Sequence, residues 1–280
     1  DTNLEQGSKS GAKTEKEKIK ILYRYLQDNM RYVGIQLGIG GFKPFPASFV
    51  DEKKYGDCKA LSNYMHALLK VINIPSYPAL VYGNEDGWPE VEKDFPENDF
   101  NHVILCVPLQ NDTIWLECTS NLPEFGVLGS FTENRKALLI TDKGGVLVNT
   151  PVSHFNENNF SSYHTIKLHN DDSGEATQTI FATGDIKSLF YDLLMKNEDD
   201  QKRFCVNDLG YKLADEMHLE KVTDSGNNFH TKINMQFEKI PEFTTGSRLF
   251  LLPRIYKLWN ENIPDDTSRK YDYYFSFPFH

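Results

Sequence analysis

Apolar residues recur at helical spacing in two places in the first half of the chain. They lie first at Ile19, Leu22, Tyr23, Leu26 and Met30 and then at Leu61, Met65, Leu68 and Ile72. Because residues at this spacing share one face of a helix, the two patterns predict two amphipathic helices. The second pattern stops at Asn73, just before Ile74 and Pro75, and this predicts the end of the second helix.

Three apolar runs rich in β-branched and aromatic residues predict strands, at residues 76–82, 101–107 and 113–119. Turn-forming residues separate the last two runs, so we expect these strands to pair as an antiparallel hairpin. If the hairpin is centred between positions 109 and 110, His102 and Glu117 lie directly opposite each other. Such partners have Cβ atoms roughly 5 Å apart, close enough for a carboxylate to bind an imidazole nitrogen. A slip of one residue would place them on opposite faces of the sheet.

The pattern changes after Thr150 and Pro151. An asparagine-rich segment is followed by predicted strands at 163–168 and 176–182, one or two helices within 185–220, further strands near 230–237 and 248–252, and an aromatic tail. We therefore predict two domains, residues 1–152 and residues 153–280, of which the second is mostly β. The chain as a whole belongs to the α+β class on this prediction.

Cys58 lies at the start of the second predicted helix, directly after Asp57. Aspartate is a preferred N-cap residue, so we predict that Asp57 caps this helix. A thiol in the first helical turn faces unpaired backbone N–H groups and the positive end of the helix dipole, and both favour the thiolate. Packing is the alternative role, since buried cysteines often serve as small apolar residues.

Cys58, His102 and Glu117 supply a nucleophile, a proton acceptor and a group that orients the acceptor. The backbone N–H of Cys58 is a candidate oxyanion donor. The segments YGDCKALSNYMHALLKVINIPSYPALV, FNHVILCV and WLECTS, within residues 15–150, resemble the transglutaminase-like superfamily. The preceding segment, RYVGIQLGIGGFKPFPAS, resembles the bacterial branch of that superfamily.

The resemblance implies a papain-like core, in which a helix that bears the cysteine packs on an antiparallel sheet, followed by a mostly β accessory domain. It assigns Cys58 as the nucleophile and His102 as the general base. Glu117 takes the position where the family more often has aspartate. Glutamate carries the same charge on a longer side chain, so it can still orient His102.

Three more residues are candidates for the oxyanion site or the cleft wall. Gln36 lies upstream of the cysteine, as does the glutamine that donates to the oxyanion in papain-like enzymes; a solvated loop glutamine is the alternative. Trp115 shares the predicted face of Glu117, where it would either shield the His–Glu pair from water or serve as a core residue of the sheet. Asp57 adjoins the nucleophile.

Composition and charge exclude several other classes of function. Forty acidic and thirty basic residues give a formal net charge of −10 without a basic stripe, which argues against nucleic acid as a partner. The four cysteines, at positions 58, 106, 118 and 205, are too few and too scattered for a disulfide framework or a zinc knuckle. Alternation along the hairpin also sends Cys106 and Cys118 to opposite faces. We predict no metal site and no cofactor.

No apolar run approaches the roughly 20 residues that a membrane span requires, and the N-terminus lacks the order of a signal peptide. The chain opens with the polar segment DTNLEQGSKSGAKTEKEK and without an initiator methionine. We therefore expect it to be part of a longer protein with a further N-terminal domain. The resemblance implies a periplasmic, cell-surface or secreted location.

The predicted function is thiol-dependent chemistry on amide bonds of a peptide or protein substrate, through a thioester on Cys58. Water as the acceptor gives hydrolysis, and an amine gives acyl transfer. The alternative is a catalytically inactive module of the same fold that serves in binding or in assembly of the cell envelope. Glutamate at position 117 and the long accessory region are the reasons for this alternative.

Overall fold

The computed structural model describes residues 13–35, 38–84, 99–121, 124–225, 228–239, 244–245 and 248–249. By its internal contacts the chain divides into two compact units, residues 1–153 and residues 154–280. The boundary predicted from the sequence lies one residue earlier.

Three helices belong to the first unit: α1 Glu15–Asn29, α2 Ala47–Lys53 and α3 Cys58–Val71. The two predicted amphipathic helices correspond to α1 and α3. A capping box between Thr14 and Glu17 begins α1. After α3 the chain turns through Asn73, whose φ of 57° is left-handed, and the Ile74 N–H donates to the Leu69 carbonyl at 3.0 Å. The predicted helix end at Asn73 is confirmed.

Helix α2, which begins at Ala47, was not predicted from the sequence. A short parallel bridge then joins strand β1, Arg31–Tyr32, to strand β2, Tyr55–Gly56. Seven residues of helix and a two-residue bridge carry too little periodicity to be recognised in a sequence.

The first unit contains a five-stranded antiparallel sheet of β3 Tyr77–Val81, β4 His102–Pro108, β5 Thr113–Leu116, β6 Lys136–Thr141 and β7 Gly144–Asn149. The strand order is β5-β4-β3-β6-β7. Strands β3, β4 and β5 correspond to the predicted strands, whereas β6 and β7 were not predicted. The predicted fold, a helix that bears the cysteine packed on an antiparallel sheet, is confirmed for this unit.

Strand β4 is buried on both of its faces because side chains pack on both sides of the sheet. On one side Leu105 and Val107 join the core formed with α1 and α3. On the other side Ile104 and Cys106 pack with Trp115. Cys106 and Cys118 belong to these two different clusters, so the prediction that they lie on opposite faces is confirmed.

The register of the β4–β5 hairpin differs from the prediction by two residues. Cys106 pairs with Trp115, and the loop is closed by the Leu109 N–H, which donates to the Asp112 carbonyl at 2.8 Å. Continued along the strands, this register places Glu117 opposite Ile104 rather than opposite His102. Because the shift is an even number of residues, Glu117 stays on the same face as His102.

The elements of the second unit are β8 Phe160–Leu168, β9 Gly174–Ala182, α4 Gly184–Met195, α5 Glu198–Asn207, β10 Glu216–Ser225 and β11 Asn228–Phe237, with a two-stranded pair of β12 Thr244–Thr245 and β13 Arg248–Leu249. Strands β8 to β11 form an antiparallel sheet with the strand order β10-β11-β9-β8. The helical region ends at Asn207 rather than near 220. The predicted aromatic tail lies outside the described residues.

The core of the second unit lies between its sheet and its two helices. Ile180 and Ile233 from the sheet pack with Phe190 and Leu193 from α4 and with Cys205 from α5. None of the helices in the described ranges is both long enough and apolar enough to cross a membrane.

Candidate active site

Cys58 is the first residue of α3, and Asp57 is its N-cap. The Asp57 side chain accepts a hydrogen bond from the Ala60 N–H at 2.9 Å, which confirms the predicted cap. The Cys58 side chain is only 3% exposed. The N–H of Cys58 has no acceptor among the described residues, as expected in the first turn of a helix.

His102 begins β4 and faces Cys58 and Glu117. Its Nε2 atom lies 2.9 Å from Oε2 of Glu117, and the Cys58 thiol is a close enough neighbour to raise the pKa of its ring. Since Nε2 is taken by the carboxylate, Nδ1 is the ring nitrogen left for the thiol. The three residues named from the sequence therefore come together at one site.

Glu117 lies just beyond the end of β5 and reaches His102 diagonally across the hairpin. Its other oxygen, Oε1, accepts hydrogen bonds from the Thr119 N–H at 3.0 Å and from the Thr119 hydroxyl at 2.5 Å. The Tyr23 hydroxyl donates to the Glu117 carbonyl at 2.7 Å and so ties this segment to α1. The longer arm of glutamate suits this diagonal placement, because diagonal neighbours in a sheet are about 7–8 Å apart.

The local electrostatics favour a charged imidazole beside a charged carboxylate. Burial lowers the pKa of His102, but hydrogen bonds to Cys58 and Glu117, together with their negative charges, outweigh burial and raise it to about 9. Burial raises the pKa of Glu117, and hydrogen bonds from His102 and Thr119 outweigh this effect, so that the pKa falls below its ordinary value. The two shifts support each other, as expected of an ion pair.

Two aromatic side chains border this group and are partly exposed. The Phe131 ring, 39% exposed, meets the His102 ring edge-on with the centroids 5.2 Å apart. Gly83 makes room for it, since a Cβ at position 83 would lie 2.6 Å from the Phe131 ring. Tyr32, 44% exposed, pairs through its backbone with Gly56, two residues before the cysteine.

Tyr32 titrates as a neighbour of the cysteine. Burial of its phenol raises its pKa, and the negative charges of Cys58 and Asp57 raise it further. The Tyr32 phenol therefore lies close enough to Cys58 and Asp57 for their charges to affect it.

The other sequence-predicted candidates have different outcomes. Asp57 is fully buried and both of its oxygens are occupied, one by the Ala60 N–H and the other by Lys59 at 2.5 Å. Trp115 packs with apolar neighbours such as Ile104, as a core residue does. Gln36 lies outside the described residues.

All four cysteines are free and buried. Burial raises the pKa of Cys106 to about 11 and that of Cys205 to about 12, and it also raises the pKa of Cys118. Among the residues with described positions, no group of three or more His, Cys, Asp and Glu side chains has the arrangement of a metal site.

Residues 2–119 match the family model of the transglutaminase-like superfamily. This segment is a transglutaminase-like domain. The match includes Cys58, His102 and Glu117, and it confirms the resemblance found in the sequence. The transglutaminase-like domain accounts for α1 to α3 and for strands β1 to β5.

Among solved structures, the chain resembles a candidate protease from Parabacteroides distasonis. The two share 10% sequence identity with a TM-score of 0.41, over 85% of this chain and 48% of that protein. The chain thus spans about half the length of its structural neighbour, and a likeness at this level supports no conclusion about activity. A comparison with curated proteins gave no match.

Sequence reasoning missed four residues around the transglutaminase-like site. Three of them, Tyr32, Lys59 and Thr119, lie inside the motifs that carry the family resemblance, so their place beside Cys58 and Glu117 was a usable signal. Phe131 lies outside those motifs, and no local pattern places it against His102.

Proposed function

We propose that the transglutaminase-like domain acts on amide bonds, with Cys58 as the nucleophile, His102 as the general acid and base, and Glu117 as the group that orients His102. The observation that carries this proposal is the buried His102–Glu117 pair, joined at 2.9 Å, with the Cys58 thiol as the next neighbour that raises the pKa of the imidazole. Each of the three groups has the partner that its role requires.

In the proposed resting state His102 holds the proton of the Cys58 thiol, so that a thiolate lies beside an imidazolium. The thiolate then forms a C–S bond with the substrate carbonyl carbon, and His102 returns the proton to the departing amide nitrogen as the C–N bond breaks. Water or an amine next attacks the thioester, loses a proton to His102, and releases the thiolate. Water yields an acid, and an amine yields a new amide.

Glu117 prepares His102 for both proton transfers. By accepting from Nε2 it fixes the tautomer with Nδ1 toward the thiol, and its negative charge stabilises the imidazolium. The free N–H of Cys58 supplies one donor for the oxyanion that forms on the carbonyl carbon. A peptide or protein substrate suits this chemistry, and the predicted periplasmic or surface location would supply such substrates.

Selective labelling of Cys58 tests the proposal. The full chain is treated with iodoacetamide between pH 5 and 9, and the modified cysteines are identified by peptide mass mapping. We expect Cys58 alone to react below pH 8, because burial keeps the other three thiols protonated. His102→Ala should abolish this selectivity, and all four cysteines should react in the denatured chain.

A Cys58 that reacts no faster than Cys205 would refute the proposal. The same result would favour the second candidate, an inactive module of this fold that binds a partner. One observation supports that candidate: Cys58 and His102 are only 3% and 9% exposed, so reagent and substrate must reach a thiol with little accessible surface.

A further inference from the structure

Lys59 forms an ion pair with Asp57 directly beside Cys58. The Lys59 Nζ atom lies 2.5 Å from Oδ2 of Asp57, and the two side chains are 13% and 1% exposed. Four other lysine–carboxylate pairs of the described chain are at the surface, with both side chains at least 46% exposed. Surface pairs contribute little, whereas burial strengthens the field of a charge on its neighbours.

The Asp57 carboxylate is held in one orientation at the start of α3. Its Oδ1 atom is held by the Ala60 N–H at 2.9 Å as the cap of α3, and the residue is fully buried. A fixed negative charge next to a thiol opposes formation of the thiolate. The helix cap therefore has an electrostatic cost for the nucleophile that it positions.

We infer that Lys59 is a positioning residue that neutralises the Asp57 carboxylate and so lets Cys58 carry its negative charge. This inference rests on the function proposed above, because it concerns the ionised state of the same cysteine. Lys59 follows Cys58 in the chain and Asp57 precedes it, so both members of the ion pair are sequence neighbours of the nucleophile.

The charged and titratable groups around Cys58 come from four elements. His102 and Glu117 come from the β4–β5 hairpin, Asp57 and Lys59 from the start of α3, and Tyr32 from β1. The pKa of Tyr32 responds to this arrangement, since Cys58 and Asp57 raise it and Lys59 lowers it. His102 and Glu117 form one ion pair, and the proposed role of Lys59 is to make Asp57 part of a second.

A double-mutant cycle that removes the charges of Lys59 and Asp57 tests the inference on the full chain. The rate of Cys58 modification by iodoacetamide, which is uncharged, is measured from pH 5 to 10 in the unchanged protein, Lys59→Met, Asp57→Asn and the double variant. Asparagine keeps the cap, because its amide oxygen can still accept from the Ala60 N–H. Lys53→Met is the matched control, since Lys53 pairs with Glu52 at the surface.

We expect Lys59→Met to raise the midpoint of the pH–rate curve by about one unit, a tenfold loss of rate at low pH, as a unit charge several ångströms away predicts. Asp57→Asn should lower the midpoint, because it leaves the lysine unopposed. The double variant should return it close to the original value, and Lys53→Met should leave it in place. If Lys59→Met does not fold, the downward shift in Asp57→Asn still tests the inference.

A selectively reactive Cys58 whose midpoint stays the same in Lys59→Met and Asp57→Asn would overturn this inference alone. A double variant as strongly shifted as Lys59→Met would also overturn it, because the lysine would then act without the carboxylate. An unselective Cys58 in the unchanged protein would refute the proposed function and this inference together.

Discussion

Replacing Glu117 with glutamine is the sharpest test of how the site holds a proton on His102. The substitution keeps the size of the side chain and removes its charge. Its amide oxygen can still accept from the Thr119 N–H and hydroxyl, as Oε1 of Glu117 does. The amide NH2 group then faces Nε2 of His102, which must be unprotonated to accept from it.

The expected effect is a fall in the pKa of His102 from about 9 toward the ordinary value of about 6.5. Burial lowers the pKa of His102, and the variant loses the charge and hydrogen bond of Glu117 that oppose burial, while the contribution of Cys58 remains. A fall of about one to two units corresponds to about 1–3 kcal/mol less stabilisation of the imidazolium.

The fall in the His102 pKa can be measured directly by NMR titration of its ring. The His102 signals are those that disappear in His102→Ala. Glu52→Gln is the matched control, because Glu52 is exposed and pairs only with Lys53 in the described contacts. In the same samples, the rate of Cys58 alkylation near pH 6 should fall by about ten- to a hundredfold, following the lost imidazolium.

The free energy of unfolding of the first unit should also fall in Glu117→Gln. A histidine whose pKa rises on folding contributes stability that is fully present below about pH 6.5 and is lost as the pH rises through about 9. The pKa of Glu117 is lowered on folding, so its contribution is lost only as the pH falls below about 4.5. Urea unfolding should therefore show the largest difference in the free energy of unfolding between the unchanged protein and Glu117→Gln from about pH 4.5 to about pH 6.5. A His102 that titrates within half a unit of its original pKa in Glu117→Gln would refute the reasoning.

Two further predictions concern packing around the site. Gly83→Ala should destabilise the first unit by about 1–3 kcal/mol and slow Cys58 alkylation, because the added Cβ would lie 2.6 Å from the Phe131 ring. Met65→Ala should destabilise it by about 2–5 kcal/mol, since Met65 on α3 is fully buried; both are measured by urea unfolding. Gly40→Ala is the control for Gly83→Ala, because a Cβ at position 40 would meet only an ordinary contact at 3.6 Å. Met195→Ala is the control for Met65→Ala, because Met195 is 75% exposed.

Each packing prediction has a definite contrary result. If Gly83→Ala is no less stable than Gly40→Ala, the Phe131 ring moves without a loss of stability. Its contact with the His102 ring then does not stabilise the first unit. Met65→Ala within about 0.5 kcal/mol of Met195→Ala, the range of surface substitutions, would contradict the packing of α3 against the sheet.

Much of the first unit could be predicted because its signals are local. The start of α3 depends on Asp57 and on the apolar spacing after it, and both are read directly along the chain. The assignment of His102 and Glu117 to one face depends only on whether the register shift is even or odd. Strands β6 and β7 escaped prediction because their burial depends on neighbours distant in sequence.

The hairpin register illustrates a limit set by turn geometry. The prediction assumed a centre between positions 109 and 110, whereas the chain closes a loop from Leu109 to Asp112. No residue pattern in this loop distinguishes the two centres. The resulting shift means that Glu117 reaches His102 diagonally, which the longer glutamate side chain allows.

The sequence by itself determined which groups could do chemistry: a capped cysteine, a strand histidine and a carboxylate on one hairpin face. Periodicity and capping preferences act within a few residues, so they are visible without a structure. Only the tertiary structure decided that Cys58 lies beside His102, that the Phe131 ring contacts the imidazole edge-on, and that Lys59 pairs with Asp57 in a buried setting. Those contacts join separate elements or depend on burial, and both arise only when helices and sheet pack together.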